Sequence, residues 1–298
     1  MVTKIEDWRR RGQWYDHRGH AIFYVDETRG APGPVLLLIH GFPTSSWDWC
    51  DIWPLIAPRF ARVIAPDMIG FGFSAKPPRY DYDLVDQATL HENLLARLGV
   101  HEVHLLVHDY GVSVAQEMLA RHLERRAPRK LEIRSVTLLN GGLFPETHRA
   151  RTVQKLLLGP LGPIISRLSN EQRFTRSMAA VFGPDTPLTP EHAQGFWRLT
   201  TENGGHRLAH RLIRYILDRR RNRDRWVRAL QETPVPLHVI NGPADPVSGA
   251  HMVARYRELV PNPDVVSLPG IGHYPQVEAP QAVAQAFLAF IERTERRS

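Results

Sequence analysis

The chain has one cysteine, Cys50, among its 298 residues. A lone thiol excludes an intramolecular disulfide and any metal site built from several cysteines, and it fits a reducing compartment. Long apolar runs are also missing. No stretch approaches the roughly eighteen residues of a membrane span, and the start, MVTKIEDWRRRGQWYDHRG, has no apolar segment that could serve as a signal peptide. A cytoplasmic protein with no membrane partner is therefore expected. There is no internal repeat and no low-complexity tract, so two independent domains have little support. Negative charge is in deficit, leaving a net +7, and DRRRNRDRWVR at 218–228 is the densest basic segment. It follows a helical pattern, where cations oppose the carbonyl end of the helix dipole, and no interleaved aromatic pattern accompanies it. No nucleic-acid partner is expected.

What the chain does have is alternation. Apolar runs of strand type stand at 21–27, 35–40, 62–67, 103–108, 133–140, 237–241 and 264–268. Amphipathic helical patterns at 83–99, 111–126 and 280–297 lie among them. That is the signature of an α/β protein with a mostly parallel sheet covered on both faces. The alternation stops between Asn140 and Leu237, where LGPLGP, FGPDTPLTP and ENGG divide a helical segment. The expected organisation is a core of 1–144 and 233–298 with a helical cap, 145–232, inserted over the carboxyl edge of the sheet, where open α/β sheets place ligands.

The run LLVHDYG (105–111) ends a buried strand on a carboxylate. Strand, sharp turn and helix form a nucleophile elbow, with Asp109 where a serine often stands. An Asp at this point could equally cap the helix. Asp245 follows the strand LHVIN and His273 follows DVVSL, so the chain order is nucleophile, acid, histidine, each just past a strand's carboxyl end. That is the α/β-hydrolase order. Turn chemistry would also put an Asp before Pro246, and a lone loop histidine is usually only solvated; it is the three together that point to catalysis.

HGFPTSSWDW (40–49), PDMIGFGFSAKP (66–77), HDYG (108–111) and GHYPQVEAP (272–280) resemble the Asp-nucleophile branch of the α/β-hydrolase superfamily, which holds epoxide hydrolases and haloalkane dehalogenases. NGGLFPETHR (140–149), VFGPDT (181–186) and RDRWVRAL (223–230) resemble the mesoderm-specific transcript family, itself epoxide-hydrolase-like. The resemblance implies an alkyl ester on Asp109, hydrolysed by water that His273 deprotonates while Asp245 orients the imidazole. It implies backbone N–H donors from Phe42 and Tyr110 for the oxyanion. Activity should then fall on the acid side as His273 protonates, starting from an unperturbed value of about 6.5.

The leading expectation is an epoxide hydrolase acting on a small apolar substrate. Two cap tyrosines usually serve that family, and 145–232 offers only Tyr215, with Trp197 and His206 as other cap donors. Haloalkane dehalogenase is the alternative, although Tyr110 and Phe42 stand where that family places its halide-binding Trp and its Asn or Glu. A hydrolase-fold binding protein with little turnover is the third reading. GFGFS (70–74) lacks full dinucleotide-loop spacing, HENLL (91–95) lacks the second His of a zinc motif, and His101 and His104 should face opposite sides of a strand. No metal or organic cofactor is expected, and the oligomeric state is left open.

Overall fold

The apolar runs assemble into one eight-stranded sheet in a computed structural model that describes residues 3–30, 33–125 and 131–296. The strands are β1 (Gly12–His17), β2 (His20–Thr28), β3 (Val35–Ile39), β4 (Arg62–Pro66), β5 (Glu102–His108), β6 (Glu132–Leu139), β7 (Leu237–Asn241) and β8 (Val265–Ser267), in spatial order β1-β2-β4-β3-β5-β6-β7-β8. From β4 to β8 every pairing is parallel, whereas β1 and β2 pair antiparallel with each other and β2 pairs antiparallel with β4. β1 was not among the expected strands. It is an edge strand, joined to β2 through Arg18 and Gly19 at φ 54° and 79°, the left-handed pair that a two-residue hairpin of this twist requires.

Both faces of the sheet are buried. Along β5, Val103, Leu105 and Val107 enter one apolar core and Leu106 enters the other. Helix α1 (Leu84–Arg97) and helix α2 (Tyr110–Glu124) follow the expected patterns. Two expected helix ends, at 126 and 297, lie outside the described residues. Because β3, β5, β6, β7 and β8 are adjacent and parallel, the residues just beyond them emerge along one carboxyl edge.

From 145 to 232 the chain is helical with short 3₁₀ turns: α3 (Thr152–Leu158), α4 (Gly162–Arg167), α5 (Glu171–Ala179), α6 (Pro190–Thr201), α7 (Tyr215–Arg221) and α8 (Arg223–Glu232). The last helix does not lie over the carboxyl edge. α8 packs on α2, with Trp226 Nε1 donating to Glu117 Oε2 at 2.8 Å and Arg225 bridging to Glu124 at 2.8 Å. It is the crossover between β6 and β7, so the segment facing the edge ends near Asn222, before the expected 232. Much of the basic run 218–228 is accordingly paired, Arg223 with Glu146 at 2.6 Å and Arg225 with Glu117 and Glu124. Helix α9 (Pro280–Glu295) closes the chain against the opposite core. Among the described residues no helix is long and apolar enough to cross a membrane.

Candidate functional site

Asp109 sits at the turn from β5 into α2 with φ 43° and ψ −101°, a conformation that L-residues adopt only when their surroundings hold them there. The surroundings do. Its N–H donates to the Asn140 carbonyl at 3.0 Å, and the Gly111 N–H donates to the His40 carbonyl at 3.1 Å. A Cβ at Gly111 would lie 2.5 Å from the Ile39 carbonyl oxygen, so the elbow can approach β3 only with glycine there. The side chain makes no capping bond to α2. Its Oδ2 instead accepts the Phe42 N–H at 3.1 Å, which sets aside the helix-cap reading. The Tyr110 N–H, at the first position of α2, has no acceptor within its own helix.

His273 Nδ1 and Asp245 Oδ2 are 2.7 Å apart, and His273 Nε2 stands 3.9 Å from Asp109 Oδ1. Asp245 is a saturated acceptor. Beside His273 it takes Asn140 Nδ2 at 3.0 Å, the Ser248 hydroxyl at 2.7 Å, and the N–H groups of Val247 and Ser248 at 2.7 and 3.1 Å. Burial alone would raise its pKa, but the His273 charge and these donors hold it well below the usual carboxylate range. On His273, burial favours the neutral ring and is outweighed by the Asp245 charge, its hydrogen bond and then Asp109, which lift it to about 9. The acid limb set from an unperturbed imidazole is therefore displaced: the resting site holds an imidazolium between two carboxylates. Imidazole NMR shifts should follow a titration near that value, and Asp109→Asn should lower it by removing one anion that favours the charged ring. An unchanged titration in the variant would separate Asp109 electrostatically from His273.

Two supports of this arrangement stand inside the runs GHYPQVEAP and HDYG but were assigned no role from the sequence. Glu278 accepts the N–H groups of Gly272 and Tyr274 at 2.9 Å each, the Gly183 N–H at 2.7 Å and the Thr186 hydroxyl at 2.6 Å, tying the His273 loop to the inserted segment. His108 Nε2 lies 2.7 Å from the His273 carbonyl. Burial drives the His108 pKa down to about 3, so the ring is neutral and donates there.

The larger omission is Arg219. Read in the sequence as one cation of a helix end, it has only 2% of its surface exposed. Its Nε donates to Ser113 Oγ at 2.6 Å, its Nη2 donates to the Asp109 carbonyl at 3.0 Å, and Nη2 lies 3.7 Å from Asp109 Oδ1. The guanidinium also covers the Tyr215 ring at 4.4 Å. The one available signal was the spacing of Tyr215 and Arg219, four apart and so on one face of α7.

Above Asp109 lies a cavity of about 280 Å³. Asp109, Phe42, His273 and Tyr274 form its floor side, and Leu157, Ile165, Phe174, Tyr215 and His206 come from the inserted segment. Tyr215 is buried, with ring centroids 5.0 Å from Tyr110 and 5.9 Å from Phe42. Trp197 departs from expectation and is not on this wall. Its ring packs on Phe174 and His206 and opens to a separate surface depression beside Thr3 and Glu6, because α6 turns Phe196, not Trp197, toward the core.

Residues 34–280 match the family described as the α/β-hydrolase fold. The chain belongs to the α/β-hydrolase family. The mesoderm-specific transcript protein of Mus musculus is 42% identical over 298 residues, 98% of this chain and 89% of that protein. A loop variant of the haloalkane dehalogenase DbeA from Bradyrhizobium elkanii superposes with TM-score 0.80 at 22% identity, covering 96% of this chain and 97% of that one. The epoxide hydrolase CorEH gives 0.76 at 21%, covering 95% and 98%. At those identities the two structures speak to the fold alone.

Elsewhere in this α/β-hydrolase, Cys50, Asp51 and His192 offer three possible metal-ligand atoms within 4.8 Å of one another. Both His192 nitrogens already have protein partners, Asp51 Oδ2 at 2.8 Å and Thr189 Oγ1 at 2.9 Å. The cluster reads as a tie between α6 and the loop after Trp49.

Proposed function

We propose that this hydrolase opens epoxides to vicinal diols through a covalent ester on Asp109, beneath a cap formed by residues 145–222. The observation that carries the reading is that Asp109 and Tyr215, a nucleophile and a proton donor, share one mostly apolar cavity with His273. Oδ2 is held by the Phe42 N–H, which leaves Oδ1 to attack. The new C–O bond forms as the ring C–O bond breaks, and the departing oxygen takes the Tyr215 proton. Burial and then the Asp109 charge raise the Tyr215 pKa, so the phenol carries that proton at neutral pH.

Esterification removes the Asp109 charge, one of the influences holding His273 protonated. The imidazolium can then return a proton to the Tyr215 phenolate and become the base. It takes a proton from water, whose oxygen attacks the Asp109 carbonyl carbon; the oxyanion is met by the Phe42 and Tyr110 N–H groups. Collapse breaks the ester bond, and the acid proton left on Asp109 goes to the departing alkoxide. Carboxylate and imidazolium are restored. On this scheme kcat falls on the acid side, where the ester's imidazole is protonated, while kcat/KM for the alkylation step holds.

The test is one turnover of an epoxide panel in ¹⁸O-water. Label should enter the Asp109 carboxylate, and the first diol released should carry the enzyme's own oxygen. Label passing directly into the first diol would overturn the ester. Tyr215→Phe should slow alkylation by epoxides by roughly 10²–10⁴ and spare any haloalkane, since halide leaves without a proton. Equal losses on both would reduce Tyr215 to packing.

Haloalkane dehalogenation finds less support. Among the described residues no tryptophan or asparagine lines the cavity, and the Tyr110 hydroxyl donates to the Tyr82 carbonyl at 3.3 Å. A binding protein with little turnover would form the ester and keep it, an outcome that the labelling experiment separates.

A further inference from the structure

Five of the eight exposed large apolar side chains among the described residues fall within sixteen positions: Val153, Leu156, Leu161, Ile164 and Leu168. Leu161, Ile164 and Leu168 are 59%, 54% and 60% exposed. The five lie on α3, α4, the LGPLG connection between them and, for Leu168, the position just past α4; the two short helices pack against each other. On their inner side Leu157 and Ile165, beside Gln154 and Ser166, line the cavity over Asp109. Short helices with apolar side chains on an outer as well as an inner face leave the outer ones uncovered in water. Val153 and Leu168 are exposed and also line that cavity, so the outer patch is continuous with its mouth.

The surrounding charge indicates what covers it. Lys155 and Arg167 on the two helices, and Arg173, which donates to the Leu168 carbonyl at 3.2 Å, are exposed at the patch, and none pairs with a carboxylate among the described residues. Glu146 and Glu171 are the only acids between 145 and 182, and Glu146 is already bound by Arg223. Arg79, Arg220, Arg228 and Arg257 are exposed elsewhere without a carboxylate partner among the described residues, but none stands beside such a cluster of exposed Leu and Ile. Unneutralised cations flanking exposed Leu and Ile are what an interfacial helix presents to anionic headgroups. A symmetric pairing of two copies would set these cations against their own kind.

We infer that α3, α4 and their connection seat the protein on an anionic lipid bilayer, with the cavity mouth facing the membrane so that apolar substrate enters from the lipid. This is peripheral attachment, and it revises the expectation of no membrane partner. It rests on the outer face of the insert and needs no particular chemistry at Asp109.

Sedimentation with vesicles decides it without any turnover. The protein should bind vesicles of phosphatidylcholine with an equal share of phosphatidylglycerol, bind phosphatidylcholine alone less well, and lose the difference in high salt. Leu156→Ser/Leu161→Ser/Ile164→Ser replaces no cavity-lining residue. It should weaken vesicle binding on the order of 100-fold and leave turnover of a small water-soluble substrate unchanged. Lys155→Glu/Arg167→Glu should weaken binding to the anionic vesicles alone, on the order of tenfold or more, and it decides the matter should the triple variant fold poorly by circular dichroism. Absence of binding to the anionic vesicles overturns the inference, as does a well-folded triple variant that binds like the parent. A concentration-dependent dimer that the triple variant abolishes would assign the patch to a second copy instead.

Discussion

Asp109→Ala should reduce turnover by on the order of 10⁵, and His273→Gln should stop it at a different point. The two losses differ because the steps differ. On the proposed ester mechanism, without Asp109 there is no attacking oxygen, so substrate should leave the site unmodified. Without His273 the carboxylate still attacks, since Phe42 still holds Oδ2 and leaves Oδ1 free, but no base deprotonates the water. Intact-protein mass spectrometry of His273→Gln should therefore gain the mass of one epoxide, localised to the peptide containing Asp109. The Asp109→Ala protein should gain nothing. A His273→Gln enzyme that turns over repeatedly, or an adduct on another residue, would remove the ester mechanism. Asn140→Ala is the milder companion. It takes one of five donors from Asp245 and should cost far less than either.

Arg219→Met should be the costliest substitution for stability, about 3–5 kcal/mol, because it leaves a buried carboxylate short of compensating charge. Asp109 is 4% exposed and Arg219 is 2% exposed, 3.7 Å apart. With His273 protonated and Asp245 ionised, the four groups are electrically balanced, and removing one cation breaks that balance. Urea unfolding at neutral pH measures the loss. A purely structural role would stop there, but the position of Arg219 implies a second effect. A nearby cation disfavours imidazolium, so in Arg219→Met the acid limb of kcat should move to higher pH. Arg219→Lys keeps the charge and loses the fork shared between Ser113 and the Asp109 carbonyl. It should restore the pH profile better than the stability. An unmoved acid limb in Arg219→Met would confine Arg219 to holding the elbow in place.

The candidate site was legible where its chemistry is local. The elbow is a strand, a turn and a helix within a few residues, and Asp245 and His273 each stand just past a strand that shows in the apolar pattern. Gly111 is a local requirement of the same turn. The role of Glu278, although it stands within GHYPQVEAP, and that of Arg219 were not legible in this way. Glu278 acts through N–H groups of Gly183 and Gly272, which no side-chain pattern announces. Arg219 meets Asp109 across 110 positions of chain. In sequence it is one arginine among several, and only packing separates the one beside Asp109 from those in surface pairs. Trp197 failed for the opposite reason: an aromatic in the insert looks like a wall residue until the helix's rotation is known.

By itself the sequence determined the strand runs from 21 to 268, the helices beginning at 83, 111 and 280, the helical interval after Asn140, and the order of Asp109, Asp245 and His273. Each follows from periodicities of two and 3.6 residues or from turn chemistry, which act over a few residues of chain. The tertiary structure decided which strand lies at the edge, and so admitted β1 through its pairing with β2. It made α8 a crossover helix and raised the His273 pKa by setting two carboxylates around a buried ring. It also turned Val153, Leu156 and Ile164 outward, where composition alone would have buried them. These are outcomes of burial and of charges brought together from distant positions, and both depend on how the whole chain packs, which no local window of sequence contains.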